Sequence, residues 1–477
     1  MNRSTKRNRE RKKIRLSQCM IVKNEEENIE RALSWGRSVM WEQIVVDTGS
    51  SDRTVEIAES MGAKVYHFAW CDDFAAAKNY AIAQAGGDWI AFLDADEYLT
   101  EEMAEKLPQL LADLQDSPYM AIMSELLNLN DEGKVFCGGN QLRFFRNVPE
   151  LCYEGRIHER LFFKGRTLNI NEVVNASEEF SIFHTGYASS VVDGRGKKER
   201  NRKLLMEELE SRPNDRELIA YIGDTYFISG GQEESCRWFE KAIEMMPEEP
   251  LPYNERDSLT FSSLIGLLAV KDDEKRMMEI YDRAVKRLTW DGDFDYLVGR
   301  YYVVKEKYEK GIYHLERALR LLEEHGNAFC SLRLSTSVGN VWELLAAAYY
   351  NIGKLNECVR SASMLLKIEP YVIQTLIILL NAFKTDARRY EKALSEAEPG
   401  VPVSPAATGA QVLGFLGGIY DLTSDKDKVF ILRAAAESEY EDLLCEIRKY
   451  FAPELLEALE RAMKQKKDAE QDAEKNA

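Results

Sequence analysis

The chain has no long apolar run, no paired cysteine spacing and no excess of positive charge. No stretch reaches the roughly 18 to 20 consecutive apolar residues of a membrane span, and the nearest, 371–383, has the length of a repeat helix. The eight cysteines are scattered, which favours reduced thiols over disulfides or zinc ligation. The net charge of -18 argues against a nucleic-acid enzyme, because most of the surface would repel phosphates.

The N-terminus also lacks the apolar centre of a secretory signal. These absences predict a cytoplasmic protein without a transmembrane segment. The basic segment 3–15 leaves open a peripheral contact with the inner membrane surface or an acidic partner, although a flexible solubilising arm is the simpler interpretation. At 477 residues the chain is too long for one core and fits two or three domains.

Two carboxylates, Asp94 and Asp96, follow the apolar run 88–93, where a predicted buried strand ends. Carboxylates so spaced leave coordination positions of Mg²⁺ or Mn²⁺ open to water and phosphate oxygens. An isolated Asp-x-Asp is more often only an acidic turn. The metal interpretation therefore depends on the residues upstream.

Upstream, short strands alternate with amphipathic helices in the order β-α-β-α-β-α-β. The predicted strands are 18–22, 43–46, 64–68 and 88–93. One predicted helix follows Asn24 as its N-cap, a second follows the turn cluster at 47–52, and a third spans 73–84. In an open, mostly parallel sheet the ligand lies beyond the carboxyl ends of the strands. Asn24, Asp47 and Asp96 should therefore converge on one crevice.

This constellation resembles the nucleotide-diphospho-sugar transferases of glycosyltransferase family 2. Four blocks occur in the family's order and spacing: VKNEE at 22–26, IVVDTGSSDRT at 44–54, AKNYA at 77–81 and GDWIAFLDADE at 87–97. The resemblance implies an α/β GT-A domain, which is a Rossmann-like fold, and a nucleotide-sugar donor, most often UDP-linked.

The resemblance also implies roles for individual residues. Asp47 and the edge of the first strand would hold the nucleoside, Lys78 would lie near the phosphates, and Asp96 would ligate Mn²⁺ or Mg²⁺. Lys78 stands where many relatives carry arginine, so a point charge replaces a two-pronged donor. The predicted donor-binding residues are Asn24, Glu25, Asp47, Lys78, Asn79 and Asp94.

A second polar cluster contains two of only five histidines, in the motifs GRIHE at 155–159 and HTGY at 184–187. Inverting sugar transfer needs a base on the face opposite the leaving diphosphate. Glu159 is the predicted base, His158 could orient it or bind the donor, and His184 could be a further metal ligand. The motifs resemble family 2 enzymes with a helical-repeat tail, among them peptide S-glycosyltransferases of the sublancin type and flagellin glycosyltransferases.

Large and small residues recur with a period of roughly 34 residues in three segments, near 219–247, 298–318 and 342–370. This spacing predicts an all-α tetratricopeptide-repeat solenoid, whose concave surface suits an extended peptide or a partner chain and could also support a homo-oligomer. Because every candidate catalytic group precedes Ala188, we expect the repeats to select the acceptor without taking part in the chemistry.

The predicted organisation has six segments. They are a basic flexible arm at 1–15, a GT-A domain at 16–194, a repeat domain at 195–396, a proline-rich linker at 397–409, a helical unit at 410–465 and a charged tail at 466–477.

The predicted function is metal-dependent, inverting transfer of a sugar from a UDP-sugar or related donor to a protein or peptide. A lipid-linked or lipopolysaccharide-core sugar is the alternative acceptor. An interaction protein with an inactive transferase domain is the alternative from another class, and the intact Asp94, Asp96, Glu159 and His184 count against it.

Overall fold

The computed structural model describes residues 14–177, 179–185, 195–251, 254–326, 330–396, 405–462 and 465. Two compact units are present, Met1–Met246 and Pro247–Ala477. Most of the predicted arm and of the linker, and all of the predicted tail, lie outside the described residues. Among the helices of the described part, none combines the length and apolarity that crossing a membrane requires.

The strands of the first unit form two sheets. They are β1 (Leu16–Val22), β2 (Glu42–Asp47), β3 (Lys64–His67), β4 (Trp89–Phe92), β5 (Glu97–Tyr98), β6 (Ala121–Leu129), β7 (Val135–Arg146), β8 (Leu151–Glu154), β9 (Arg160–Phe163), β10 (Arg166–Thr167), β11 (Val173–Asn175) and β12 (Ser181–His184).

The helices of the first unit fall into two groups. Those that alternate with strands are α1 (Ile29–Ser34), α2 (Thr54–Ser60), α3 (Phe74–Ala83) and α4 (Glu101–Asp113). Those that follow the sheets are α5 (Arg195–Ser211), α6 (Arg216–Ile228) and α7 (Gln232–Glu244).

The larger sheet has nine strands in the order β3-β2-β1-β4-β7-β6-β12-β5, with β11 also paired to β6. β1 runs parallel to both β2 and β4, and β2 runs parallel to β3. The central strands β1 and β4 are almost entirely buried, as expected for parallel strands covered on both faces. Strands β8, β9 and β10 form a separate three-stranded sheet.

The predicted alternation of strands and helices is confirmed to within two residues at each strand end, and the α/β GT-A fold is confirmed. The helix predicted over 73–84 is α3, and Asp73 is its N-cap, because its carboxylate accepts the N–H of Ala76. The capping role of Asn24 is wrong: α1 begins at Ile29, and its N-cap residue is Asn28.

The second unit is helical throughout its described residues. Its helices are α8 (Glu255–Val270), α9 (Glu274–Arg287), α10 (Asp293–Val304), α11 (Tyr308–His325), α12 (Leu332–Ser335), α13 (Val338–Asn351), α14 (Leu355–Ile368), α15 (Ile373–Glu396), α16 (Gly409–Leu416), α17 (Asp425–Glu437) and α18 (Glu441–Arg448).

Helices of the second unit pack in consecutive pairs, as a tetratricopeptide repeat requires. A Cβ on Gly299 of α10 would lie 2.8 Å from Leu315, and a Cβ on Gly311 of α11 would lie 2.6 Å from Val303. The two backbones therefore approach too closely for larger residues. The repeat prediction is confirmed, and the sequence missed one pair, α8 and α9.

A fully buried carboxylate lies inside the second unit. Asp295 accepts the hydroxyl of Tyr281 at 2.8 Å and the guanidinium of Arg317 at 2.9 Å, and its Oδ1 lies 2.8 Å from Nδ1 of His314. Its side chain has no exposed surface. Burial and the neighbouring carboxylate both raise the pKa of Tyr281, so this residue stays a hydroxyl donor. The cluster is a polar network within the repeats, in which Asp295 is fully buried and Arg317 keeps 29% of its side chain exposed.

Candidate functional site

A cavity of about 770 Å³ opens at the carboxyl ends of the parallel strands of the first unit. One side is formed by residues that directly follow β1, β2 and β4, as the topology requires. These residues are Lys23, Glu25, Thr48, Asp94, Ala95 and Asp96. A cavity therefore lies at the predicted edge of the sheet, and of the three residues predicted to converge there, Asp96 lines it while Asn24 and Asp47 do not.

Other segments close the cavity. The residues between β8 and β9 contribute Ile157, His158 and Glu159, and β12 contributes His184. Arg200 and Tyr221 come from α5 and α6, which the sequence assigned to the repeat domain. The cavity lining thus includes residues beyond Ala188, although every catalytic candidate in the sequence precedes that residue.

Arg143 on β7 fixes Asp94. The antiparallel pairing of β4 with β7 brings it to the end of β4, where its Nη2 donates to Oδ2 of Asp94 at 3.0 Å and also to Glu97. Burial opposes ionisation of Asp94, but the cations of Lys78 and Arg143 outweigh burial and lower its pKa to about 2. Asp94 is therefore an anion that is already paired with two protein cations.

Lys78 lies beneath the cavity floor, with 3% of its side chain exposed. Its ammonium lies 2.6 Å from Oε1 of Glu159 and 3.6 Å from Oδ1 of Asp94. Burial lowers the pKa of a lysine, but these two carboxylates more than offset it and raise the pKa of Lys78 above its ordinary value. Lys78 therefore remains a cation that links the strand-end carboxylates to the predicted base.

His184 is the neighbour of Asp96. Its Nε2 lies 3.2 Å from Oδ2 of Asp96, and its Nδ1 lies 2.7 Å from Oδ1 of Asn128. The strand register causes this meeting, since β12 places His184 opposite Asn128 of β6 and Glu97 of β5. Burial lowers the pKa of His184, but the hydrogen bond and charge of Asp96 raise it above the ordinary value.

Asp96 and His184 offer a carboxylate oxygen and an imidazole nitrogen, both of which are ligands that a divalent cation such as Mn²⁺ accepts. Among the described residues, no three His, Cys, Asp or Glu side chains are grouped to hold a metal. Binding a cation there would require Nε2 of His184 to give up the proton that it donates to Asp96, while Nδ1 would keep its own proton toward Oδ1 of Asn128. Two facing acceptors are stabilised by a cation between them. Two protein ligands leave room for diphosphate oxygens and water.

The residues between β8 and β9 deliver Glu159 in an unusual backbone conformation. Gly155 has φ 106° and His158 has φ 52°, both in the left-handed region. The ring of His158 stacks on Tyr221, with 4.0 Å between centroids and 2° between planes. The carboxylate of Glu159 is 14% exposed and reaches the cavity.

Three of the predicted donor-binding residues are not among the lining residues. Asn24 accepts the N–H of Ser51 at 2.8 Å and holds the chain after β1 against the chain after β2. Asp47 is buried and accepts the N–H of Ser50 at 2.9 Å. Asn79 exchanges two hydrogen bonds with the backbone of Tyr153. These contacts shape the loops around the cavity, and the donor-binding roles of the three residues stay predictions.

Sequence reasoning missed Arg143, Trp70 and Tyr221 as site residues. Arg143 had a usable signal, because it lies in the polar segment NQLRFFR at 140–146, shortly before the GRIHE motif. Trp70 precedes α3 and packs edge-on against Phe74 at 4.8 Å between centroids. Tyr221 had no usable signal, since its position in a helical repeat indicates packing.

Comparison with known proteins gives one family for the sheet-containing region. The family model described as glycosyl transferase family 2 matches residues 17–145. An uncharacterized glycosyltransferase of Rickettsia bellii is 38% identical over 214 residues, which are 40% of this chain and 72% of the relative.

Two further relatives match about half of the chain. The SPbeta prophage-derived glycosyltransferase SunS of Bacillus subtilis is 26% identical over 226 residues, 47% of this chain and 52% of that protein. A TPR repeat-containing protein of Synechococcus elongatus is 35% identical over 238 residues, 49% of this chain and 58% of that protein. The chain thus spans little more than half the length of these two relatives.

Proposed function

The chain belongs to glycosyltransferase family 2, and from this membership we propose that it transfers a sugar from a nucleotide-diphosphate sugar, UDP-linked by preference, to a protein or peptide. The observation that carries the proposal is the meeting of Asp96, His184 and Glu159 in one cavity. An inactive transferase domain would not need to keep an acid–imidazole pair and a separate carboxylate in the same open site.

On the donor side, the residues after β1 and β2 would receive the nucleotide. Glu25 and Thr48 line the cavity there, and the Thr48 hydroxyl donates to the carbonyl of Val22, which keeps the two strand ends together. Asp96 and His184 would hold Mn²⁺ or Mg²⁺. Such an ion, when bound, would neutralise charge on the departing diphosphate.

On the acceptor side, Glu159 is the proposed base. The acceptor oxygen or sulfur attacks the anomeric carbon, the bond from that carbon to the diphosphate oxygen breaks, and the diphosphate keeps the electron pair. Glu159 takes the proton of the acceptor. The ammonium of Lys78 lies 2.6 Å from Oε1 of Glu159 and holds the carboxylate in place before the acceptor arrives. A single displacement of this kind inverts the anomeric centre.

A protein or peptide acceptor is proposed because stacked helix pairs present an extended surface for a chain. A lipid-linked or lipopolysaccharide-core sugar is the alternative acceptor, and a direct assay separates the two. Thermal-shift measurements with a panel of nucleotide sugars, with and without Mn²⁺, would identify the donor. Transfer from the labelled donor in a cell extract would then be fractionated into protein and lipid.

We expect Mn²⁺-dependent stabilisation by one UDP-sugar and label in the protein fraction. Label in lipid alone would reject the peptide acceptor and keep the transferase. Absence of both donor binding and donor hydrolysis would reject the transferase proposal.

Asp96→Ala tests the metal role. Losing the ion should remove several kcal/mol of transition-state stabilisation, so we expect the transfer rate to fall about a thousandfold. The melting temperature should not change. Asp116→Ala, an exposed aspartate after α4, is the matched control and should retain wild-type turnover. Wild-type turnover of Asp96→Ala across a Mn²⁺ titration would reject the metal assignment.

A further inference from the structure

The segment 155–160, which carries the proposed base, is fixed by helices α5 and α6 at almost every residue. The backbone N–H of Arg156 donates to Oε2 of Glu208 in α5 at 2.7 Å, and the carbonyl of Arg156 accepts the N–H of Phe74 at 2.8 Å. Helix α3 of the transferase sheet and helix α5 after the sheets therefore hold the same residue, one through its carbonyl and the other through its N–H.

The next residue anchors the segment by apolar packing. Ile157 is buried in one cluster with Leu204 and Leu205 of α5 and with Leu218 and Ile222 of α6. Burying an apolar side chain of this size stabilises the packed arrangement. Release of the segment from the two helices would expose this apolar surface.

His158 and Arg160 flank the base and both contact α6. The His158 ring lies parallel to Tyr221 at 4.0 Å, and Arg160 pairs with Glu217 and lies 3.7 Å from Asp215. His158 keeps φ 52° in this position. A residue other than glycine persists in that conformation when its surroundings over-determine it.

We propose that α5 and α6 are a positioning element for the transfer reaction, and that Tyr221 is a positioning residue which acts through His158. Glu159 lies between two residues that α6 holds, and its carboxylate must meet Lys78 at 2.6 Å. The stack fixes the left-handed turn at His158, and that turn directs the next side chain toward the cavity. The inference deepens the proposed function and rests on it for its kinetic readout.

Tyr221→Leu removes the aromatic face, whereas Tyr221→Phe keeps it and removes only the hydroxyl. We expect Tyr221→Leu to lower kcat about 10- to 100-fold with donor affinity unchanged, because a misplacement of about 1 Å can cost about 10² in rate. Tyr221→Phe should keep kcat within about twofold of the wild-type value. Phe227→Leu, at an exposed position of the same helix, is the matched control.

A second measurement tests the stack without any assay of transfer. The chain has five histidines, so ring signals of histidine-labelled protein can be resolved by NMR, and His158→Gln assigns one of them. The His158 ring protons should show an upfield ring-current shift in wild type and in Tyr221→Phe, and should lose it in Tyr221→Leu.

These readouts separate the possible failures. An inactive wild type with the ring-current shift present would reject the proposed function while the stack itself stands. Wild-type kcat in Tyr221→Leu together with loss of the shift would overturn the positioning role. Equal losses of kcat and donor affinity, or a kcat in Tyr221→Phe as low as in Tyr221→Leu, would also overturn it. The positioning role is supported if kcat is lowered in Tyr221→Leu and close to wild type in Tyr221→Phe, with donor affinity unchanged in both.

Discussion

Both units hold charged side chains in their interiors, and they differ in what the carboxylates face. In the second unit, the oxygens of Asp295 meet Tyr281, His314 and Arg317, and the side chain has no exposed surface. In the first unit, Asp96 pairs with His184 and Glu159 pairs with Lys78, but both carboxylates keep surface toward a cavity.

The difference indicates what each cluster can do. A carboxylate whose oxygens are directed only at protein donors stabilises one arrangement of helices and can accept nothing from outside. A paired carboxylate at a cavity wall is held in place and can still receive a proton or a cation. Breaking a buried pair costs stability because a charge is left without its partner. Changing a cavity carboxylate should instead cost rate.

The largest expected effect is on rate. Glu159→Gln keeps the size of the side chain but cannot take the acceptor proton, so we expect kcat to fall by about 10² to 10⁴ with donor affinity nearly unchanged. Steady-state transfer and donor-binding calorimetry would measure the two quantities. Glu150→Gln, at an exposed position before β8, serves as control. An equal loss of donor affinity would move Glu159 to the donor site and leave His158 as candidate base.

The next largest effect should be on stability. Asp295→Ala leaves Arg317 and His314 without their shared carboxylate, so we expect the free energy of unfolding to fall by about 3–5 kcal/mol. Urea denaturation measures this loss, and donor hydrolysis per folded molecule should not change. Glu309→Ala on the exposed face of α11 should leave stability at its wild-type value. If Asp295→Ala were as stable as wild type but impaired in donor hydrolysis, Asp295 would serve the reaction and not the stability of the second unit, contrary to our interpretation.

The smallest effect tests how finely the cavity is built. Asn128→Ala removes the group that orients His184 and leaves Asp96 and His184 in place, so we expect Mn²⁺ affinity to fall about 10- to 100-fold. Metal titration of transfer, with rescue of the rate at high Mn²⁺, checks this expectation. Asn351→Ala, exposed at the end of α13, is the control. Unchanged Mn²⁺ dependence would show that His184 does not bind the metal.

Local pattern predicted the part of the fold that places the strand ends. Asp94 and Asp96 follow β4 because a short apolar run ends there, and His184 ends β12 for the same reason. These features depend on neighbours in sequence. The meeting of Asp96 with His184 spans 88 residues and depends on strand order, which the family resemblance supplied and the residue pattern did not.

The sequence did not predict the residues whose roles depend on contacts between elements that are distant in the chain. Lys78 was expected at the phosphates, yet its ammonium lies between Asp94 and Glu159, and the phosphate role is still a prediction. Nothing near Tyr221 in the chain shows that it reaches the cavity, because residue 221 has the spacing of a packing position.

The missed pair α8–α9 has a physical reason as well. In the other repeat pairs, a residue in the left-handed conformation ends the first helix. Glycine or alanine stands seven residues before that residue, as at Gly223 and Gly299, and tyrosine stands four residues before it. In α8 these positions are Ile265 and Leu268, both buried. The pair keeps the apolar spacing but replaces the small and aromatic residues that identify a repeat.

The packing of Ile157 against α5 and α6 also sets where this protein can be recombined with others. A chimera joined near Gly194 would separate Ile157 from Leu204, Leu205 and Ile222, and would carry α5 and α6 into a host whose own segment packs against different side chains. Exchange after Met246, where the first compact unit ends, would move helices α8 to α18 and leave α5 and α6 with the transferase that they pack against. Under the proposed acceptor role of the repeats, new acceptor ranges should be sought by grafting beyond that residue.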